Sequence, residues 1–510
     1  MRTTLRLCRG ACGLMNIKRE SAAVVYLACN MNTADATLVA TLAKNLCAQI
    51  VETHISWVLL VGDMAYKIKK PVRLPFVDYS SLEVRRHFCE EELRLNQRLA
   101  SSLYLGVTHI TGTLQAPVLD GTGTVLEYAV RMRRFAPGAL FSEQLVAGVL
   151  RFDAVDRLAT LLGDFHECAP RANAASGFAT VGRRRAGAMA AWDGTRPLAS
   201  DKEQALLQAW LETEADELAS LWLRRRADGH VRECHGDLHL ANVVSLDGEV
   251  AAFDCIEFDP ALRWIDMLDD AAFVVMDFAA CGRNDCAFRF LNGWLDRTGD
   301  HGSLPALRFA VVYRALVRAQ VEHLRSANSA TARRYLQTAL TWTRLGEARL
   351  FITHGLPGSG KTFASQNLLE QQGAIRLRSD VARKRLFGLD MLDNSRSKGL
   401  DLYGADATGR TYKQLFVTAR IALRAGYPVI LDAAFLRRAE RTQAHTLARE
   451  LGVPFSIVDC EAPLPVLQAR LLARRGDPSE ADATVLERLR ALAEPLTRDE
   501  LAFVHPDRRP

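Results

Sequence analysis

Residues 355–362 read GLPGSGKT and match the pattern G-x-x-x-x-G-K-[ST] at every fixed position. A short apolar run, 350–354 (LFITH), precedes them, and a stretch of helical character begins at Thr362. Glycines let a backbone wrap around an anion without Cβ clashes, and the N-terminus of a following helix adds positive potential. The order of strand, glycine-rich turn and helix therefore predicts a phosphate-binding loop, or P-loop, in a parallel sheet.

The loop has the groups that a nucleoside triphosphate bound with Mg²⁺ requires. The ammonium of Lys361 would reach the terminal phosphates, and the hydroxyl of Thr362 would bind Mg²⁺. Backbone N–H groups of the turn would hold the other phosphate oxygens. The residues expected to bind ATP here are Gly355, Pro357, Gly358, Ser359, Gly360, Lys361 and Thr362.

A second phosphate-transfer motif lies well upstream, at 235–242 (HGDLHLAN). It has the spacing His-x-Asp-x-x-x-x-Asn of a protein-kinase catalytic loop. The apolar run 252–259 (AFDCIEFD) follows, and it carries Asp254 where such kinases keep their Mg²⁺-binding aspartate. Together the two parts predict a kinase-type active site in the first part of the chain.

Each polar residue of this second motif has its own expected role. Asp237 would accept or orient the proton of an attacking hydroxyl, which makes it a catalytic residue. Asn242 and Asp254 would supply the hard oxygen ligands that Mg²⁺ prefers. His235 is expected to brace the loop rather than to touch substrate.

A kinase lobe also needs a lysine on its third strand and a glutamate on the next helix to hold it. Lys67 follows an apolar run and is the first choice, and Lys69 shares its strand face by the period of two. On the helix, Glu92 opens the segment ELRLNQRL and is the expected partner, with Glu90 and Glu91 as alternatives.

Composition fits a chain of two or three globular domains. The 510 residues are 49% hydrophobic and 24% charged, and no run of eighteen apolar residues occurs. The eleven cysteines form no C-x-x-C pair and no paired framework, so we expect buried thiols in a reducing cytoplasm. No membrane contact is expected.

The net charge of +6 comes mainly from arginines in the last third of the chain. Arginine binds phosphate in a bidentate way, so these clusters favour a site for a nucleotide and a phosphorylated substrate. A nucleic-acid substrate is the alternative, but no aromatic–basic repeats support it. The clusters are Arg376, Arg378, Arg383, Lys384 and Arg385; Arg437, Arg438 and Arg441; and Arg470, Arg474 and Arg475.

Residues 1–33 are expected to form a poorly ordered, basic N-terminal extension. The apolar stretch at 22–28 is short for a secretory signal, and Met31 is an alternative start of translation.

The pattern of residues 34–345 is that of one kinase-like domain. A helix is expected at 34–50 and another at 81–100, with strands at 57–61, 65–68 and 125–132. The rest, from about 142, is expected to be helical apart from strands around 231–258. The stretch 306–348 is expected to be helical and to hold no catalytic residue.

Residues 346–510 are expected to form a P-loop domain. Strands are predicted at 350–354, 375–378, 428–432 and 454–460, and helices at 361–371, 408–425, 437–451 and 463–475. This alternation predicts an α/β domain with a parallel sheet. No Gly/Ser linker separates the domains, so we expect them to pack together.

Residues 51–345 resemble the aminoglycoside-phosphotransferase-like, or choline-kinase-like, domains, with HGDLHLAN as the motif that carries the resemblance. The resemblance implies a two-lobed protein-kinase-like α+β fold, in which Met132 and Arg133 form the hinge to the adenine. The chain departs from the kinase pattern before Lys67, where 53–56 (THIS) stands in place of a G-x-G-x-x-G loop. As a whole it resembles proteins in which this domain is fused to a P-loop kinase.

The P-loop domain resembles the kinases of the polynucleotide-kinase, zeta-toxin and gluconate-kinase kind, which carry Asp-x-x-Arg after a short strand. By this resemblance Asp380 would orient or deprotonate an acceptor hydroxyl, and Arg383 would hold the acceptor or its phosphate. Asp432 ends the apolar strand and would bind Mg²⁺ or its waters. Arg474, with Arg470 and Arg475, would close over the γ-phosphate as a lid.

The sequence therefore predicts an ATP- and Mg²⁺-dependent phosphotransferase with two fused nucleotide sites, acting on a hydroxyl of a small molecule or sugar. One alternative is a regulatory or scaffold NTPase whose upstream module is a pseudokinase. The other is a polynucleotide 5′-kinase in the last domain.

Overall fold

The structure is a computed structural model that describes residues 33–506, except 75–76, 174, 327–328, 345, 396–397, 399 and 475. The extension predicted at 1–33 lies outside the described residues except for Thr33, at which the first helix begins. None of the described helices combines the length and apolarity needed to cross a bilayer.

The first lobe is built on a six-stranded antiparallel sheet with the order β1-β2-β3-β8-β6-β7. The β2–β3 turn has two residues, and Gly62 takes its left-handed position at φ 52°. Helix α2 packs on β8 and β6. The elements of this lobe are α1 (Thr33–Asn45), β1 (Gln49–Glu52), β2 (Ser56–Val61), β3 (Met64–Lys69), β4 (Arg73–Leu74), β5 (Val77–Asp78), α2 (Leu82–Ala100), β6 (Tyr104–Thr113), β7 (Ala116–Leu119) and β8 (Glu127–Arg133).

Several features of this lobe differ from the sequence prediction, among them the short strands β4 and β5. The helix expected at 34–50 ends at Asn45, and its last predicted residues form β1 instead. Strands β6 and β7 were not predicted, because β6 (YLGVTHITGT) contains two glycines and three threonines and no apolar run. Pairing with β8 stabilises it as a strand despite this composition.

The second lobe is mainly helical, as predicted, with two short two-stranded sheets, β10–β11 and β9–β12. Helix α8 is almost wholly buried, although it carries several aspartates. The elements are α3 (Phe141–Val146), α4 (Phe152–Cys168), α5 (Val181–Thr195), α6 (Asp201–Ala227), β9 (Val231–Glu233), β10 (Val243–Leu246), β11 (Glu249–Ala252), α7 (Pro260–Arg263), β12 (Trp264–Asp266), α8 (Met267–Ala280), α9 (Asn284–Thr298), α10 (Leu304–Arg325) and α11 (Ala330–Trp342).

The P-loop domain contains a four-stranded parallel sheet with the order β14-β15-β13-β16. Every predicted strand and helix of this domain is present, and helices α13 and α17 are additional. The elements are β13 (Leu350–His354), α12 (Lys361–Gln372), β14 (Ile375–Arg378), α13 (Ser379–Leu386), α14 (Ala405–Arg424), β15 (Val429–Asp432), α15 (Arg438–Glu450), β16 (Phe455–Asp459), α16 (Leu464–Ala473) and α17 (Ala483–Ala491).

The two domains pack directly against each other through helix α9. Phe288 on α9 lies edge-on to Tyr427 of the P-loop domain, with ring centroids 6.5 Å apart. One hydrophobic core runs from α4 through α9 to the strands of the P-loop sheet. The expectation that the domains pack together therefore matches the structure.

Candidate active sites

Lys67, Glu92 and Asp254 meet in the kinase-like domain, although β3, α2 and the loop after β11 supply them separately. The Lys67 Nζ lies 2.8 Å from Glu92 Oε1 and 2.5 Å from Asp254 Oδ1. Burial alone would lower the pKa of Lys67, but the charges of Asp254 and Glu92 outweigh it and raise that pKa. The lysine is thus charged, and 13% of its side chain faces solvent.

Of the three glutamates that the sequence offered, Glu92 is the one that reaches the lysine. Glu90 pairs with Arg86, and Glu91 pairs with Arg94 and Arg263. Burial would raise the pKa of Glu92, but its lysine partners hold that pKa at about 2.

Lys69 forms a second, deeper ion-pair cluster that sequence reasoning did not foresee. Its ammonium lies 2.8 Å from Glu92 Oε2 and 2.5 Å from Glu257 Oε1, and its side chain has no solvent exposure. The Tyr79 hydroxyl donates to the same oxygen of Glu257 at 2.6 Å. Lys69 therefore ties helix α2 to the segment after Asp254, and Lys67 is the lysine that faces the cleft.

The β10–β11 hairpin brings the two predicted Mg²⁺ ligands of this domain together. Asn242 directly precedes β10 and Asp254 lies two residues after β11, and Phe253 N–H donates to Asn242 O at 2.9 Å. Asp254 lies in the loop rather than on the strand, with φ at +65°. Its side chain is 46% exposed, so the carboxylate is accessible to a metal ion.

Asp237 lies on the catalytic loop with a third of its side chain exposed. The Asn242 amide donates to Asp237 O at 2.9 Å, which fixes the loop between them. Burial would raise the pKa of Asp237, but His239, whose Nε2 lies 3.5 Å from Asp237 Oδ2, and Arg318 hold it well below its usual range. The carboxylate is therefore ionised, so it can accept a hydrogen bond from the hydroxyl of an acceptor.

Asp270, on the buried helix α8, fixes the start of the catalytic loop. It accepts hydrogen bonds from His235 N–H at 3.0 Å and Gly236 N–H at 2.9 Å. His235 itself lies 2.9 Å from Phe253 O through its Nε2, so it braces the loop as predicted and has no solvent exposure. Sequence reasoning missed Asp270, whose only signal was a charged residue in an apolar helix.

His166 completes this brace from α4. Trp294 donates its indole N–H to His166 Nδ1 at 3.0 Å, so the ring proton is on Nε2, which lies 3.1 Å from Asp270 Oδ2. Burial would raise the pKa of Asp270, but the hydrogen bond from His166 helps to hold it at about 2. His166, Cys234 and Asp270 are close enough to hold a metal ion, but both ring nitrogens of His166 are already engaged.

Arg318 lies within 306–348, the stretch in which no catalytic residue was expected. It lies on α10, is 8% exposed, and its charge contributes to the low pKa of Asp237. Its Nη2 donates to Glu322 at 3.2 Å, while its buried Nε has no hydrogen-bond partner. Sequence reasoning missed Arg318 because only folding brings α10 close to the catalytic loop.

The β1–β2 turn occupies the place of a glycine-rich loop, and it is closed on itself. Thr53 N–H donates to Ser56 O at 2.9 Å, and Ser56 N–H donates to Thr53 Oγ1 at 2.9 Å. These two N–H groups are therefore not free to bind phosphate. Met132 is the penultimate residue of β8, paired with Ala65, where the chain is about to leave the sheet.

In the P-loop domain, the glycine-rich turn has the backbone that its sequence predicts. Gly355, Gly358 and Gly360 have φ values of 141°, 84° and 100°. A Cβ on Gly355 would lie 2.2 Å from Cys460 O, so only glycine fits there. The Lys361 ammonium donates to Gly355 O and Leu356 O, both at 2.9 Å.

Asp432 ends β15 beside the first turns of α12. The Ser365 hydroxyl donates to Asp432 Oδ2 at 2.9 Å, and Asp432 is 6% exposed. Burial lowers the pKa of Lys361, and the negative charge of Asp432 opposes that shift. The strand end thus places the predicted Mg²⁺ ligand near the P-loop lysine.

One cleft of about 1340 Å³ joins the remaining predicted residues of this domain, and we call it the P-loop cleft. Arg383 Nη1 donates to Asp380 Oδ1 at 2.9 Å, and the guanidinium stacks on Tyr403, 4.8 Å from its ring centroid. Arg475 of the predicted lid lies outside the described residues. The lining includes Pro357, Gly358, Gly360, Lys361, Thr362, Asp380, Arg383, Asp432, Arg470 and Arg474.

Sequence reasoning gave Tyr403 no role, although its ring supports Arg383 and its hydroxyl lies 3.5 Å from Asp380 Oδ1. The segment before α14 carries no motif that would have identified it. Ser359, predicted to bind ATP, lies in the glycine-rich turn, and its buried Oγ has no hydrogen-bond partner in the structure.

Two family models match the chain, one for each domain. The model of the phosphotransferase enzyme family matches residues 85–306, and that of the AAA domain matches residues 350–496. An uncharacterised protein of Mycobacterium tuberculosis (strain ATCC 25618 / H37Rv) is 32% identical over 454 residues, which cover 86% of this chain and 89% of that protein. An uncharacterised protein of Mycobacterium bovis (strain ATCC BAA-935 / AF2122/97) gives the same figures.

The chain belongs to the family of these mycobacterial proteins. This chain joins a phosphotransferase-type, kinase-like domain to a P-loop domain, and the predicted fold class is confirmed. The enzyme is a kinase, and kinases of these families use ATP and generally Mg²⁺.

Two solved structures are similar to parts of this chain. A gluconokinase from Sinorhizobium meliloti 1021 is 18% identical, covers 32% of this chain and 82% of its own, and has a TM-score of 0.24. A choline kinase from Cryptosporidium parvum Iowa II is 10% identical, covers 67% of this chain and 97% of its own, and has a TM-score of 0.38.

Proposed function

We propose that both domains bind Mg-ATP and that each transfers the γ-phosphate to a hydroxyl group of a small molecule or sugar. The observation that supports this most directly is the contact of Lys67 with both Glu92 and Asp254, since a pseudokinase has no need to keep this set intact. The domain boundaries, 34–345 and 346–510, are part of the proposal.

In the kinase-like domain, Lys67 would bind the ATP phosphates, and Asn242 and Asp254 would hold Mg²⁺. Asp237 would orient the acceptor hydroxyl and take its proton as the oxygen attacks the γ-phosphorus and the bond to the ADP oxygen breaks. Arg318 lies in the electrostatic surroundings of Asp237 and would stabilise negative charge there. Met132 would face the adenine.

In the P-loop domain, Lys361 would exchange the two carbonyls that it now contacts for phosphate oxygens. Thr362 and Asp432 would hold Mg²⁺, and the fit to that ion rests on an exposed hydroxyl and a carboxylate fixed by Ser365. Bound Mg²⁺ would neutralise charge on the phosphates. Asp380 would orient the acceptor hydroxyl.

We further propose that the acceptor of the P-loop domain is itself an anion. Arg383 is held against Asp380 and Tyr403, and its buried Nε has no hydrogen-bond partner. An anionic group on the acceptor would supply that partner. The cleft also continues past basic residues that are remote from the P-loop, namely Lys413, Arg420, Arg424, Arg437 and Arg488.

Two alternatives have some support. The closed Thr53–Ser56 turn favours a pseudokinase in the first domain, because it offers fewer N–H groups to phosphate. The basic extension of the P-loop cleft favours a polynucleotide 5′-kinase in the second. The eight cysteines in the described part of the chain are all free thiols, which agrees with the cytoplasm as the proposed location.

The test is a search for phosphorylated product by mass spectrometry, with the full chain, Mg-ATP and a pool of metabolites. Lys361→Ala and Asp254→Ala, singly and together, would assign each product to a domain. A product that persists in the double variant would refute the proposal. A product found only with 5′-hydroxyl oligonucleotides, and lost in Lys361→Ala, would replace the small-molecule acceptor by a nucleic acid.

A further inference from the structure

Helix α9 of the kinase-like domain binds the outermost strand of the P-loop sheet. The Asn292 side chain donates through Nδ2 to Ala374 O at 2.9 Å and accepts from Arg376 N–H at 2.6 Å. The amide therefore replaces the next strand beside β14, and it is 2% exposed. Helix α9 is thus held in a fixed position relative to β14.

One turn further along α9, Asp296 is a buried carboxylate among arginines of the other domain. It is 7% exposed, and its Oδ2 lies 4.0 Å from Arg378 Nη1. Arg385 donates to its main-chain oxygen at 2.7 Å. Burial raises the pKa of Asp296, while the charges of Arg378, Arg376 and Arg385 oppose the rise.

Arg378 connects this carboxylate to the P-loop cleft. It is the last residue of β14, pairs in register with Asp432, and lines the cleft. Its Nη2 lies 3.9 Å from Asp477 Oδ1, beyond α16. Burial would lower its pKa, but four carboxylates raise it, with Asp296 first, then Asp432, Asp477 and Asp380.

We propose that Asp296 is a positioning residue of the P-loop cleft that the kinase-like domain supplies, and that it acts by holding the guanidinium of Arg378. This inference rests on the proposed function of the P-loop domain. Two of the other carboxylates near Arg378, Asp432 and Asp380, are those needed for Mg²⁺ and for the acceptor. Without Asp296, the Arg378 charge would move toward them, neutralise the metal ligand and occupy the acceptor end of the cleft.

The inference predicts a defect in metal use rather than a general loss of folding. We would measure ATP turnover by the full chain in an Asp254→Ala background, so that the P-loop site is the source of the signal. Asp296→Asn should lower kcat about tenfold and raise the half-saturating Mg²⁺ concentration several-fold, as expected for one misplaced charge next to a metal site. Asp296→Glu keeps the charge and can span the gap, so it should stay within a few-fold of the parent.

The matched control is Asp164→Asn. Asp164 pairs with Arg297, the residue after Asp296 on α9, and this ion pair joins α9 to α4 rather than to the P-loop domain. This variant should keep the kcat and the Mg²⁺ requirement of the parent. If Asp296→Asn behaves like Asp164→Asn, the inference is overturned.

A double-mutant cycle tests whether Asp296 acts through Arg378. Asp296→Asn should add almost nothing to the defect of Arg378→Gln, because the group that it positions is already absent. The inference is overturned if the double variant loses as much activity as the product of the two single losses. It is also overturned if Asp296→Glu is as defective as Asp296→Asn. Lys361→Ala distinguishes a failure of the proposed function from a failure of the positioning role. If Lys361→Ala retains turnover, the proposed function of the P-loop domain is contradicted. If Lys361→Ala loses turnover but Asp296→Asn turns over ATP like the parent, only the positioning role of Asp296 is contradicted.

Discussion

The ammonium of Lys69 lies 2.8 Å from Glu92 Oε2, the carboxylate oxygen that Lys67 leaves free. One glutamate thus serves two lysines, of which one faces the cleft and the other is enclosed. This division separates catalysis from stability in a way that mutation can measure.

Lys69→Met should mainly reduce stability, whereas Lys67→Met should mainly reduce the rate of phosphate transfer. Lys69→Met leaves the Glu257 carboxylate buried without its cation and should cost about 3–5 kcal/mol of unfolding free energy. Lys67→Met should cost much less, since Glu92 keeps Lys69 and Asp254 is half exposed, but should lower phosphate transfer about a hundredfold or more. Urea unfolding and single-turnover transfer check both values. A larger loss of stability in Lys67→Met would reverse the assignment.

Asp237→Asn should damage transfer far more than nucleotide binding. The amide keeps the shape but removes the proton acceptor, which is worth roughly a hundredfold to ten-thousandfold in rate. Single-turnover transfer and an ATP titration, both in a Lys361→Ala background, are the measurements. Asp247→Asn, at an exposed carboxylate beside Arg133, is the control. An unchanged rate with intact binding would make Asp237 structural.

The pH dependence of the same reaction tests the electrostatics of Asp237. Its pKa is lowered, so the carboxylate stays ionised as the pH falls and loses its charge only below the usual range for aspartate. Between pH 8 and pH 5 we therefore expect no fall in the transfer rate that is caused by protonation of Asp237, that is, no acid limb that the Asp237→Asn variant lacks. Such a limb, with a midpoint near pH 5 or above, would show that His239 and Arg318 do not stabilise the charge.

Lys361→Ala in the full chain should abolish turnover at the P-loop site, by about two orders of magnitude or more. The full chain is needed because α9 covers part of the P-loop domain. Calorimetry on this variant should still detect one Mg-ATP site, which the further change Asp254→Ala removes. Lys398→Ala, at an exposed ion pair with Asp393, is the control. Absence of the residual site would favour the pseudokinase reading.

Asp270→Asn should destabilise the fold, because Asp270 braces the catalytic loop and does not itself contact substrate. The folded-state pKa of Asp270 is about 2, below the value of about 3.9 in unfolded chains, so its stabilisation is present above pH 4 and is lost as the pH falls toward 2. The variant should lose about 3 kcal/mol at pH 7. In denaturant titrations over this pH range the difference from the parent should shrink on acidification. A constant difference would contradict the low pKa.

The sequence predicted those parts of the sites that local motifs encode. The P-loop, the catalytic loop and the strands of the second domain follow from short patterns, since glycine positions and apolar runs depend on nearby residues. Asp270, Arg318 and Asp296 were missed because their partners lie far away in the chain and only helix packing brings them together. Strand β6 was missed since its stability comes from pairing with β8 rather than from its own composition.

The side chain of Asn292 has a consequence for solubility. A parallel sheet exposes unpaired N–H and C=O groups along both outer strands, and such edges promote pairing between molecules. The Asn292 side chain covers part of this edge at β14. At β16 the C-terminal segment covers part of the other edge, since His505 N–H donates to Ile457 O at 2.8 Å. A P-loop domain produced without α9 would expose the β14 edge, and we expect it to self-associate at lower concentrations than the full chain does. The packing of α9 on β14 therefore has a consequence for solubility that is independent of catalysis.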